Sequence, residues 1–242
     1  MKFAYLIEPP FNYTDDQVKV LGCDVELARY VFNELGKEFE PLEAEFAELL
    51  PGVANRKWHM TTGLFATGER KKTAAFSRPI WALPDGILVK KGNPLGLGGY
   101  KSVAQNTDCV LAVIRDQFQH RSAVEFGVPK ERIRIFETYT DAANAVQNEA
   151  VHGYASVARA HTGFLEQNPD YDCETVMVPA NEKEPAFGCF AFNKEDETLR
   201  LSVNKILDAF IGSFQHREMM KKYGFEDQEI DLLVQGTELN NW

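Results

Sequence analysis

At 242 residues the chain is long enough for one large domain or two smaller lobes. Hydrophobic residues make up 44% and charged residues 26%, with 17 Phe, 8 Tyr and 3 Trp, which excludes disorder as the dominant state. A formal charge of -10 with no basic block argues against nucleic acid and anionic membrane surfaces as partners, because both require clustered Lys and Arg.

No apolar run reaches the ~18 residues that a membrane helix needs. No secretory signal opens the chain, because Met1 to Ile7 reads at once as a first core strand. This predicts either a cytoplasmic protein with a native start at Met1 or an exported one whose leader has been removed. Four cysteines (Cys23, Cys109, Cys173, Cys189) lie far apart without a C-x-x-C pair. They fit free core thiols or one disulfide, and argue against a zinc site.

In chain order, Lys2 to Ile7 predicts a strand closed by Glu8-Pro9-Pro10. Asp24 is expected to cap a helix that points Leu27, Ala28, Val31, Phe32 and Leu35 to one side and stops at Gly36. Lys37 to Leu42 reads as strand. Phe46, Leu49, Leu50 and Val53 have helical spacing that Pro51 is expected to interrupt. Trp58 to Gly63 reads as strand, Thr67 to Lys72 as a short turn, and Ile80 to Lys90 as extended. The Gly-rich segment Asn93 to Ser102 predicts a link between lobes.

A second alternating series follows. Val110 to Ile114 is a strand buried on both faces, and Gln119 to Phe126 a helix. Arg132 to Phe136 is a strand, and Thr140-Asp141 caps a helix through Ala150. Gly153 to Val157 is a strand followed by helix to Glu166, and Thr175 to Val178 another strand. Phe187 to Phe192 is a buried strand. Glu195 to Phe214 predicts one long helix packed through Leu199, Val203, Ile206, Leu207, Phe210 and Phe214, and Glu218 to Tyr223 a last short helix. This alternation argues an α/β architecture with mostly parallel sheets, in two lobes that would meet at a ligand-binding cleft.

Four motifs in order carry a resemblance. They are Ile7-Glu8-Pro9-Pro10-Phe11, Gly22-Cys23-Asp24-Val25-Glu26-Leu27-Ala28, Thr67-Gly68-Glu69-Arg70 with Phe76-Ser77-Arg78-Pro79, and the closing Lys221-Lys222-Tyr223-Gly224. Together they resemble the family 3 extracellular solute-binding proteins, the type II periplasmic binding proteins of polar amino-acid ABC transporters. The resemblance implies a two-lobed periplasmic-binding-protein-like type II fold with an interlobe cleft and two hinge crossovers. Lobe one would hold 1–90 and 192–242, lobe two 93–188, with hinges near 88–92 and 189–193. It further implies a periplasmic monomer that closes on a small-molecule carboxylate ligand and docks on an ABC permease, with no cofactor, no metal and no catalytic residue.

The resemblance also assigns residues. Arg70 would bind the ligand carboxylate, for which a guanidinium offers two parallel donors and a permanent charge. The plain alternative is a surface Arg paired with Glu69 or Asp85. Thr62, Gly63, Phe65 and Thr67 would surround the carboxylate with hydroxyls and backbone N–H groups; the alternative for the threonines is turn capping. Phe65 departs from the commoner Ser or Thr. Phe11 and Trp81 would cover an apolar part of the ligand, or belong to the core. In lobe two, Asp116, Gln117 and Phe118 stand where relatives carry Gly and Thr.

Val157 falls where relatives place the Asp that pairs with a ligand ammonium, and His152 and His59 replace two further acids. Losing a buried counter-charge weakens the binding of an ammonium, so a ligand without a free α-amino group is expected. Arg115 and Arg159 suit a second acidic group on the ligand, or solvent. Ser77 is not in a G-x-S-x-G elbow, and Gly96-Leu97-Gly98-Gly99 does not follow a strand, so neither a hydrolase nor a phosphate loop is indicated. The competing functions are a cyclohexadienyl-dehydratase-like enzyme on the same fold and a sensor input domain.

Overall fold

The computed structural model describes residues 1–238. They form two compact units. The first is Met1–Ala82 with the chain from Phe187 onward, and the second is Leu83–Ala186.

In the first unit, β1 (Lys2–Tyr5) is followed by the hairpin β2 (Tyr13–Thr14) and β3 (Val20–Leu21) and by helix α1 (Cys23–Glu34). Then come β4 (Glu40–Glu43), α2 (Phe46–Ala54), β5 (Met60–Thr61), β6 (Leu64–Phe65) and β7 (Ala75–Leu83). A parallel sheet runs β4-β1-β5. Helix α1 buries Val25, Leu27, Ala28, Val31 and Phe32, the stripe expected from their spacing. Its cap is Gly22, however, and not Asp24, which is the second helical residue and is turned inward. Pro51 does not interrupt α2. The helix continues through it to Ala54, held where Trp58 packs on Gly52 and donates to the Leu49 carbonyl at 2.9 Å.

The second unit contains β8 (Asp85–Lys90), α3 (Tyr100–Gln105), β9 (Leu111–Ile114), α4 (Phe118–Glu125), β10 (Ile133–Phe136), α5 (Tyr139–Gln147), β11 (Gly153–Val157), α6 (Ala158–Gln167) and β12 (Cys173–Met177). Its five-stranded sheet has the order β10-β9-β11-β8-β12. The pairs around β9 are parallel, and those around β8 antiparallel, so the sheet is mixed rather than mostly parallel. The Gly-rich stretch lies inside this unit: Leu97 and Tyr100 enter its core beside Ile87, Val103, Leu111 and Val113. Its glycines serve a tight loop, not a link between units. Helix α5 is capped by Thr138, two residues before the expected Thr140, and the Thr138 hydroxyl accepts from the Asp141 backbone N–H at 3.1 Å.

The chain returns to the first unit with β13 (Ala186–Phe192), in a sheet of order β6-β13-β7, followed by α7 (Glu197–Phe210), α8 (Phe214–Lys221) and α9 (Asp227–Glu238). The expected long helix is therefore two. Gly212, with a φ of 84°, breaks it, and the Ser213 hydroxyl caps α8 by accepting from His216 N–H. Phe214 consequently points outward and is 78% exposed. Helix α9 lies beyond the last expected element and buries Ile230 and Leu233. All four cysteines are free and buried, so no disulfide forms.

Candidate functional site

On the first unit, the carboxylate of Asp24 organises the candidate residues. Its Oδ2 accepts from the Thr62 hydroxyl at 2.6 Å and from the Gly63 backbone N–H at 2.7 Å. Its Oδ1 accepts from Trp81 Nε1–H at 3.0 Å and lies 3.7 Å from Cys23 Sγ. Asp24 is 1% exposed, and that burial raises its pKa above the usual carboxylate value, an effect the four donors offset only in part. The Asn12 amide donates to Thr62 Oγ1 at 2.7 Å, completing a buried chain from β1's exit to β7.

This network places Trp81. Its ring lies across two glycine backbones: a Cβ on Gly188 would stand 2.2 Å from the ring, and one on Gly63 2.7 Å. Phe11 packs on Trp81 at a centroid distance of 5.2 Å and Phe65 at 5.5 Å, edge-on at 73°. Phe11, Phe65 and Trp81 are thus gathered into one buried aromatic cluster with Thr62 and Gly63 behind it. The Thr62 hydroxyl and the Gly63 N–H are both directed at Asp24.

Arg70 stands beside this cluster, at the start of a 3-10 turn covering Arg70–Lys72. Its Nη1 donates to the Phe65 carbonyl at 3.1 Å, and its guanidinium lies 5.3 Å from the centre of the Phe46 ring. Thr67 fixes the turn: its hydroxyl accepts from the Arg70 backbone N–H at 3.2 Å, and its own N–H donates to the Phe65 carbonyl. Asp85, buried in the second unit, is paired there with Lys183.

The second unit positions the other three candidates in the turn from β9 into α4. Asp116 takes a φ of 62° and is exposed, Gln117 is the buried N-cap of α4, and Phe118 begins the helix. The Phe118 ring lies 4.8 Å from Lys183 Nζ. That ammonium is 2.8 Å from Asp85 Oδ2, whose carboxylate also accepts from the Tyr100 hydroxyl at 2.6 Å and from Gln119 Nε2 at 2.9 Å. Burial and the neighbouring carboxylate push the Tyr100 phenol well above its usual range. Val157 ends β11 and is 6% exposed. Arg115 is bound outside this group, its guanidinium paired with Glu137 at 2.6 Å.

The two histidines that replace acids have parallel structural tasks. His59 Nδ1 accepts the Lys2 backbone N–H at 3.0 Å while His59 N–H donates to Lys2 O. His152 Nδ1 accepts the Val110 N–H at 3.0 Å while His152 N–H donates to Val110 O. Each ring ends a strand pairing in its own unit.

Sequence reasoning missed two hubs, Asp24 and Asp85. The motif Gly22-Cys23-Asp24 pointed away from the first, because an acid at an apolar helix start reads as an N-cap. Nothing local marks Asp85, whose partners come from three distant segments.

The sequence pattern of the bacterial extracellular solute-binding proteins, family 3, matches residues 2–227. A probable amino-acid ABC transporter periplasmic-binding protein, y4tE of Sinorhizobium fredii, is 29% identical over 237 residues, covering 95% of this chain and 78% of that protein. The probable ABC transporter arginine-binding protein ArtJ of Chlamydia trachomatis is 31% identical over 195 residues, 74% of this chain and 68% of the relative. Among solved structures, EhuB in complex with hydroxyectoine superposes with a TM-score of 0.86 at 26% identity, covering 97% of this chain and 90% of that one. These structural relatives have the type II periplasmic-binding-protein fold. The chain belongs to the bacterial extracellular solute-binding proteins of family 3 and is a substrate-binding protein of the amino-acid ABC transporter kind.

Proposed function

We propose that this chain captures a small solute bearing a carboxylate, an amino acid or a derivative of one, by lobe closure and delivers it to an ABC permease. The observation that carries this reading is the setting of Arg70. Its guanidinium is held by the Phe65 carbonyl and the Phe46 face, next to the Phe65–Thr67 backbone and the aromatic cluster. A carboxylate leaving water needs a permanent cation with directed donors, and this corner offers one in Arg70. Phe11 and Trp81 would border an apolar part of the ligand. Thr62 and Gly63 act one step back, holding Asp24 and through it Trp81. On the second unit, Asp116, Gln117 and Phe118 would add polar and aromatic contacts. The protein binds and releases its solute without transforming it, as a monomer on the outer side of the cytoplasmic membrane.

Several relatives are named for arginine, but the buried Val157 favours a ligand without a free α-ammonium. EhuB, among the structural relatives, is in complex with hydroxyectoine. Calorimetry after a thermal-shift screen of amino acids, their N-substituted derivatives and small carboxylates tests the reading. Arg70→Ala should weaken binding of the best acid at least about a hundredfold, the scale of a charge-assisted pair. Full affinity in Arg70→Ala would remove the carboxylate site from this corner. Sub-micromolar binding of an unmodified α-amino acid would overturn the inference from Val157.

A further inference from the structure

Lys183 lies between β12 and β13, and its side chain is only 12% exposed. An ammonium withdrawn from water needs acceptors for three N–H groups. Asp85 covers one side at 2.8 Å and the Phe118 ring another at 4.8 Å. Among the described residues, no hydrogen bond of good geometry reaches Lys183 Nζ. Asp85, by contrast, is well supplied, because Tyr100 and Gln119 already donate to it. The ammonium is therefore neutralised in charge but short of acceptors. It also stands over Phe118, the last residue of the turn assigned to the ligand, in the unit where Val157 takes the place of an acid.

We propose that Lys183 is a specificity-determining ligand contact of the second unit, receiving an anionic oxygen of the solute other than its α-carboxylate. This rests on the reading that the Asp116–Phe118 turn belongs to the ligand site. An acidic end gains a charge-assisted hydrogen bond beside an aromatic wall. A cationic end, such as a guanidinium, meets a like charge where an acid would have welcomed it.

The test uses three matched probes: N-acetyl-L-glutamate, N-acetyl-L-glutamine and N-acetyl-L-arginine. Calorimetry is run on the wild type, Lys183→Gln, Arg70→Ala and the double variant Lys183→Gln/Asp85→Asn. The double variant removes both charges together, so it does not strand a buried carboxylate. In the wild type the glutamate derivative should bind at least about tenfold tighter than the arginine derivative. Lys183→Gln and the double variant should lose that preference, while Arg70→Ala weakens all three probes in parallel. If either Lys183 variant folds and keeps the preference, or if the wild type prefers the arginine derivative or does not bind the acidic one, the role of Lys183 is overturned. If Arg70→Ala leaves all affinities unchanged, the carboxylate corner fails on its own account, whatever Lys183 does.

Discussion

Replacing Asp24 tests whether its carboxylate holds the candidate site together. In Asp24→Asn the remaining carbonyl oxygen can keep Thr62 and Gly63, which share Oδ2. The new amide group then faces Trp81 Nε1–H, now 3.0 Å from Oδ1, donor against donor. One buried N–H left without an acceptor costs about 1–3 kcal/mol. In Asp24→Ala the Gly63 and Trp81 N–H groups both lose their acceptor, so the cost rises to about 2–6 kcal/mol, before any cavity term. Against a typical total stability of about 5–15 kcal/mol, the alanine variant should be marginal. Urea unfolding followed by far-UV circular dichroism measures the loss. A cycle with Trp81→Phe isolates the indole contact, because Phe has no N–H to strand. Asp24→Asn should cost at least about 1 kcal/mol less in the Trp81→Phe background than in the wild type. Equal costs in the two backgrounds, or an Asp24→Asn variant as stable as the wild type, would refute the account of Asp24 as the hub.

Two further outcomes follow from burial. His161, between the Tyr139 hydroxyl and Gly86 O, has its pKa pushed down to about 3 by desolvation, and His216 is likewise pushed down to about 4. Unfolded histidines titrate near 6.5, so between that pH and the folded values the unfolded chain binds more protons, and stability falls as the pH is lowered. At pH 5 each should cost about 2 kcal/mol relative to neutral pH, and His161→Asn should flatten the profile from urea midpoints measured between pH 7 and 5; an unchanged slope would contradict this. The thiols give a third outcome. Burial pushes Cys109 to about 11 and Cys189 to about 12, so a bulky maleimide should label neither quickly in the native protein, and Cys173, also raised but 8% exposed, should react first. Rapid labelling of Cys109 would contradict this packing.

Much of this protein is legible in its sequence, for local reasons. Val110 to Ile114 had to be a buried strand because it offers no polar face, and the Leu27–Phe32 stripe had to be a helix because its apolar period is helical. The order of short motifs also pointed to the family. What local pattern could not supply is where a buried polar group finds its partners. Asp24 reads as a helix cap, since an acid at an apolar helix start is the usual signal. Its actual donors come from positions 62, 63 and 81, and only the folded chain brings these to one carboxylate. The glycines near residue 95 read as a linker, yet Leu97 and Tyr100 between and beside them fill a core. Glycine spacing reports backbone freedom, not which side chains the loop carries inward. The break at Gly212 was hidden by the apolar period, which continues through Phe214 although the backbone does not. Asp85 and Lys183, nearly a hundred residues apart, show no pattern at all in one dimension. Hydrophobic period is a property of neighbours along the chain. The pairing of buried charges and donors is a property of neighbours in space, and so it was decided only by the tertiary structure.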